Sequence, residues 1–173
     1  MLYIILTVAL IILASLLYAG LSLAPWLPTK RLDWERINQL AALQPGQTFL
    51  EMGCGTGALA TYIAQHNPQA QVVGVELAWP VYVLAKLRQW LSGLANLRIV
   101  FGNVLQYDIA NTDVVYVFAR PQTITTKLKP KLIAEMKPGA QVISYIFPIT
   151  DWPGQVTTHP ETKLHSPIFV YRS

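Results

Sequence analysis

The chain has 173 residues, a formal net charge of +4 and a hydrophobic fraction of 53%, with one cysteine and three histidines. That length suggests one domain and leaves little room for a second. A lone Cys54 excludes an internal disulfide and fits a reducing compartment, and His66, His159 and His165 lack metal-ligand spacing with it, so no metal site is expected.

Residues 1–24, MLYIILTVALIILASLLYAGLSLA, carry no charged side chain. About 20 apolar residues cross a bilayer core, so this stretch is long enough to span. A cleaved signal peptide would show a basic start and a shorter apolar core. A buried helix is rarely apolar on every face over such a length. A single-pass membrane anchor is therefore expected. Lys30, Arg31 and Arg36 follow it closely and nothing basic precedes it, which places the remainder on the cytoplasmic side. Residues 25–32, with Pro25 and Pro28, read as a short stiff linker.

Residues 33–173 then read as one α/β domain. DWERINQLAAL, 33–43, predicts a helix, with Asp33 able to cap it and Ile37, Leu40 and Leu43 at helical spacing. Past the Pro45-Gly46 turn, QTFLEM is a short apolar strand, and a glycine loop feeds a helix through about Gln65. Residues 70–77 form a second strand, apolar enough to be buried on both faces. Pro80 opens a helix whose Val81, Leu84, Leu87 and Leu91 share one face, and Gly93 ends it. Strands follow at 97–101 and 113–118, then a helix across roughly 122–136, kinked or delayed at Pro130.

Four lysines crowd residues 127–137 (Lys127, Lys129, Lys131, Lys137), either as a solvated helix face or as a surface resting on anionic headgroups. No aromatic residue interleaves with them, so a single-strand nucleic-acid platform is not expected. A fifth strand follows Pro138-Gly139, and residues 151–173 read as a β-hairpin. Strands alternating with helices imply a parallel sheet covered on both faces, the hairpin adding an antiparallel edge.

The glycine loop carries the chemistry. Gly53-Cys54-Gly55-Thr56-Gly57-Ala58 satisfies the loose dinucleotide pattern, and Glu76 ends the second strand, where an acid can accept hydrogen bonds from ribose hydroxyls. NAD and S-adenosylmethionine (SAM) both present an adenosine, so Glu76 suits either. Glu51 separates them, because a carboxylate at the loop entrance repels a pyrophosphate but suits the sulfonium and ammonium of SAM. Its alternative is a structural acid that caps loop amides. Asn103, after the third strand, reads either as a contact to the adenine amino group or as an ordinary turn residue, and Asp113 as turn chemistry.

The order of these parts resembles the class I SAM-dependent methyltransferases: E-x-G-x-G-x-G at 51–57, Glu76 after strand two, Asn103 after strand three, then the closing hairpin. The resemblance implies a Rossmann-like seven-stranded sheet. It also implies a cofactor site at Glu51, Gly53, Cys54, Gly55, Thr56, Gly57, Glu76, Leu77, Asn103 and Val104. A narrower likeness rests on the apolar N-terminal helix, PWLPT before the domain, GVELAWPVYVLAK after strand two and YIFPITDW after strand five. These look like the membrane-bound lysine methyltransferases related to the one that modifies the ATP synthase c subunit. That family carries an aspartate before the last loop glycine and an arginine after it, where this chain has Thr56 and Ala58.

The tip of strand four reads Phe118-Ala119-Arg120-Pro121, not the Asn/Asp-Pro-Pro-aromatic motif of enzymes methylating adenine or glutamine amides. Arg120 can hold a carboxylate or pair with a surface acid. Phe147, Pro148 and Trp152 follow strand five, either as an aromatic surface for a lysine ammonium or as core and membrane-facing residues. The expected function is a membrane-anchored SAM-dependent methyltransferase acting on lysine of a membrane or membrane-proximal protein, with Phe118, Arg120, Phe147 and Trp152 toward the substrate and no general base assigned. The alternatives are methylation of a lipid or quinone-like headgroup and a non-catalytic adenosyl-binding membrane module.

Overall fold

The computed structural model describes residues 1–7, 10, 13–15, 28–159 and 162–172. Seven strands make the sheet: β1 (Thr48–Met52), β2 (Gln71–Glu76), β3 (Leu97–Phe101), β4 (Val114–Val117), β5 (Gln141–Tyr145), β6 (Gln155–His159) and β7 (Ile168–Arg172). Their order is β3-β2-β1-β4-β5-β7-β6, with β7 antiparallel to both neighbours. The α/β sheet with its closing hairpin is the architecture the alternation of elements predicts.

Alternate residues of the inner strands feed two cores. Phe49, Val114, Tyr116, Ile143 and Tyr145 face α1 (Trp34–Ala41), α2 (Ala58–His66) and α3 (Trp79–Ser92). Leu50, Met52, Val115, Val117 and Val142 face α4, a helical run made of Pro121–Thr123, Ile124–Leu128 and Lys129–Glu135. The middle part of α4 is a π turn. It lies just before Pro130, whose missing N–H cannot close an ordinary turn, so the expected kink takes that form.

Four local expectations differ from what the tertiary structure does. Asp33 precedes α1 but makes no side-chain cap; its fully buried carboxylate accepts from Arg36, Tyr145, the Ser166 N–H and His165. Leu84, Leu87 and Leu91 of α3 are exposed, and only Ala85 of that helix is fully buried. The lysine cluster is not solvated throughout, since Lys131 is buried and pairs with Glu135, and Lys137 pairs with Asp113 at 2.7 Å. Asp113 also accepts from the Thr48 N–H at 2.8 Å, fastening the start of β4 to the start of β1.

Among the described residues no helix is long and apolar enough to cross a membrane. The anchor expected over residues 1–24 lies largely outside the described residues, of which 2–7, 10 and 13–15 are helical.

Candidate active site

β1 and β4 are neighbours, but the chain leaves β1 toward β2 and β4 toward β5. Such a switch point opens a crevice at the carboxyl ends of the strands. It holds an open recess walled by the glycine loop and by Pro28, Thr29, Trp34, Tyr116 and Phe118.

Gly53, Gly55 and Gly57 have φ of 76°, 54° and 70°, the left-handed region that favours glycine. The loop folds back on β2. The N–H groups of Gly53 and Cys54 donate to the Val75 carbonyl at 2.9 and 3.0 Å, and Gly57 N–H donates to the Cys54 carbonyl at 2.8 Å. Gly55 N–H donates to Glu76 Oε2 at 2.9 Å. A phosphate cradle aims such amides at its ligand. Here these four serve protein acceptors, which removes the main attraction for a pyrophosphate.

The loop lies so close to β2 because Gly74 has no side chain. A Cβ there would stand 2.8 Å from Cys54 Cβ and Sγ and 2.9 Å from Ile99 Cδ1. The Cys54 side chain thus packs against β2, where burial pushes its thiol up, and its backbone borders the recess.

Glu51 is buried at the recess floor, its Oε2 accepting from the Ala60 N–H at 2.9 Å. That donor belongs to the first turn of α2 and has no partner within its helix. Burial pushes the Glu51 carboxyl up to about 8, the Ala60 bond opposing and the nearby Glu76 charge adding to the rise. Glu51 thus caps an amide, as its alternative reading has it, and also lines the recess.

Glu76 Oε1 accepts from the Ala78 N–H at 2.7 Å, while Oε2 holds Gly55. Burial raises its carboxyl, and the N–H groups of Ala78, Gly55 and Leu77 act against that rise. Each oxygen keeps a lone pair for a hydroxyl. The Gly102 N–H donates to the Glu76 carbonyl at 3.0 Å and so brings the turn with Asn103 beside it. Asn103 Oδ1 accepts from the Leu105 N–H at 3.0 Å, the ordinary turn chemistry expected as one alternative. The Val104 side chain is in the core, so what it offers a ligand is its backbone.

On the other wall, Phe118 borders the recess, its ring edge-on to Tyr145 at 5.0 Å and stacked on Phe147 at 6.4 Å. Arg120 is exposed at the same edge, where it precedes α4, and does not border the recess. Trp152 is not brought to this edge. Its indole N–H donates to the Arg172 carbonyl at 3.1 Å, and Arg172 pairs with Gln141 at the opposite end of β5. The segment after β5 descends the height of the sheet before β6 begins, so closeness to strand five along the chain misplaces this residue.

Three wall residues escape a reading by motif. Tyr116 is the partner of Glu51 across β1 and β4, and its hydroxyl lies 2.7 Å from Thr29 Oγ1. The Trp34 indole N–H donates to the Thr29 carbonyl at 3.1 Å, drawing the supposed linker over the recess. The available signal was a hydroxyl-bearing ring in the aliphatic strand VVYV. Among the described residues no group of three or more His, Cys, Asp or Glu side chains is placed to hold a metal.

This donor set fits SAM: buried carboxylates toward its positive charges and hydroxyls, and a glycine surface for close approach. The family described as the ANTKMT methyltransferase domain matches residues 51–156, more than half of the chain. A protein-lysine N-methyltransferase of Saccharolobus islandicus (strain REY15A) is 27% identical over 154 residues, covering 85% of this chain and 92% of that protein. A 24-methylenesterol C-methyltransferase 2 of Arabidopsis thaliana is 30% identical over 126 residues, 70% of this chain but 35% of its own length. The structure of an RNA methyltransferase from Salinibacter ruber, in complex with S-adenosyl-L-homocysteine, matches with a TM-score of 0.74 at 24% identity, covering 84% of this chain and 92% of that one. The fold, the glycine-loop site and these relatives agree: the chain belongs to the ANTKMT methyltransferase-domain family and is a SAM-dependent methyltransferase.

Proposed function

We propose that the protein is a membrane-anchored protein-lysine N-methyltransferase, with its domain on the cytoplasmic side, acting on a membrane or membrane-proximal protein. The observation that carries the acceptor is the recess beside Glu51, with Trp34, Tyr116 and Phe118 in its wall. Aromatic faces attract an ammonium. Desolvation among them lowers a lysine pKa toward the neutral, nucleophilic form. The Tyr116–Thr29 hydroxyl pair offers lone pairs to orient the amine.

SAM, when bound, supplies a methyl group on a positively charged sulfur that a neutral amine can displace. The remaining work is positioning and exclusion of water, which can contribute roughly 7–11 kcal/mol. Glu51, Glu76 and the glycine loop would hold the cofactor, and the aromatic wall would hold the lysine chain. Similarity to a protein-lysine N-methyltransferase over 92% of that protein's length supports this acceptor. The anchor rests on the uncharged residues 1–24 and on the cations at 30, 31 and 36. It would raise the effective concentration of enzyme near membrane substrates.

The test is methyl labelling of membranes holding the full chain with radioactive SAM. Label recovered as methyllysine in a protein band is the expected result. Label in the organic extract would transfer the activity to a lipid or quinone-like acceptor, and no label would leave an adenosyl-binding module; either overturns the lysine reading.

A further inference from the structure

α3 turns an apolar stripe outward. Trp79, Val83, Leu84, Leu87, Trp90 and Leu91 recur at three- and four-residue spacing and are all exposed, Trp90 at 76% and Leu91 at 69%. At about 100° per residue they occupy one continuous side of the helix, opposite the buried Ala85, with Lys86 at one border and Arg88 at the other. A stripe of this size on a soluble face marks a contact surface.

The chain itself indicates the occupant. No Asp or Glu occurs between Glu76 and Asp108, while Lys86, Arg88 and Arg98 fall in that interval. The outer face of α3 and its borders thus carry apolar side chains and the cations Lys86 and Arg88 with no acid, the composition of a helix lying in a lipid interface. The uncharged N-terminal segment touches the start of this helix, the Trp79 N–H donating to Ser15 Oγ at 3.0 Å. Leu10 and Leu13 of that segment are themselves exposed, and the stripe stays uncovered.

We propose that the outer face of α3 rests on an anionic lipid surface, as a second contact in the membrane plane beside the anchor. This rests on the anchor proposed above. Apolar side chains enter the headgroup–acyl boundary while Lys86 and Arg88, at the borders of the stripe, meet the phosphates, each cation strengthening the contact. Trp79 begins α3 three residues beyond Glu76, at the sheet edge that holds the recess. Lipid contact there fixes the orientation of the domain and keeps the acceptor opening near the bilayer, where a membrane-protein lysine would be presented.

The test uses the full chain in phosphatidylcholine vesicles, with and without phosphatidylglycerol. An environment-sensitive fluorophore is attached at Leu87→Cys or Leu91→Cys, with Gln155→Cys on the far edge of the sheet as control; Cys54 is buried. Emission at 87 and 91 is expected to shift to the blue and to be lost on adding doxyl-labelled lipid. Removing phosphatidylglycerol, or introducing Lys86→Glu with Arg88→Glu, should weaken both effects, and position 155 should show neither.

A chain that floats with the vesicles but keeps labels 87 and 91 in water overturns this inference and leaves the anchor standing. A chain that does not float at all overturns both. Protection that rises with the protein-to-lipid ratio and ignores doxyl lipid would assign the stripe to a second copy and overturn the lipid assignment.

Discussion

Glu51 meets two demands, holding the first turn of α2 through Ala60 and facing the recess from a buried position. A carboxyl pushed up to about 8 by burial is largely protonated at neutral pH in the free protein. A cationic ligand beside it favours the ionised form, so the bound state holds fewer protons and SAM affinity must rise with pH. Between the lowered value of the bound state and about 8, the expected gain approaches tenfold per unit. Titration calorimetry in buffers of different ionisation enthalpy should show proton release on SAM binding. Glu51→Gln should weaken binding and flatten the pH profile, and an unchanged profile in that variant would remove Glu51 from the ligand site.

At the scale of elements, the site depends on how tightly the glycine loop lies on β2. Gly74 makes this contact possible: a methyl group there would meet Cys54 and Ile99 at distances real Cβ atoms do not show. Gly74→Ala is expected to destabilise the domain by about 1–3 kcal/mol, the cost of overpacking a filled core. It should also lower SAM affinity, because the displaced loop carries Gly55 away from Glu76. Removing the opposing side chain in Gly74→Ala/Cys54→Gly should restore part of both losses, read by thermal melts with and without SAM. Additive effects in this cycle would mean that the two residues do not press on each other.

Across the whole molecule, Asp33 ties the start of α1 to the segment before β7. Its buried carboxylate accepts from Arg36 at 2.8 Å, Tyr145 at 2.7 Å, His165 at 2.9 Å and the Ser166 N–H at 3.1 Å. Burial alone would raise this carboxyl, but those four donors hold it below its ordinary value of 3.8. A depressed carboxylate contributes stability that is present above the unfolded value and lost as pH falls through the folded one. The network should therefore fail in acid, below about pH 4. Asp33→Ala should cost about 3–5 kcal/mol near neutrality, where it leaves buried donors unpaired. Its melting temperature should vary less with pH on the acid side than that of the natural chain, and an identical acid limb in both would show that Asp33 is not what fails there. The cluster also sets the course of the chain over the recess, since Thr29 and Trp34 flank it.

The glycine spacing, Glu51, Glu76 and the alternation of strands and helices were legible along the chain. They are properties of adjacent residues: three left-handed turns need glycine, and a βαβ unit puts the strand-end acids on one edge. The apolar period of α3 was legible too, but a period does not say which side is covered. The tertiary structure decided that, because the sheet takes Ala85 and leaves Leu84, Leu87 and Leu91 outside. The aromatic wall of the recess was beyond sequence for a related reason. Thr29 and Tyr116 are 87 residues apart and meet only when α1 packs on the sheet. Trp152 follows strand five in sequence yet lies at its opposite end, since an unpaired stretch of chain can run either way. Local chemistry determined the cofactor loop, and long-range packing determined what faces it.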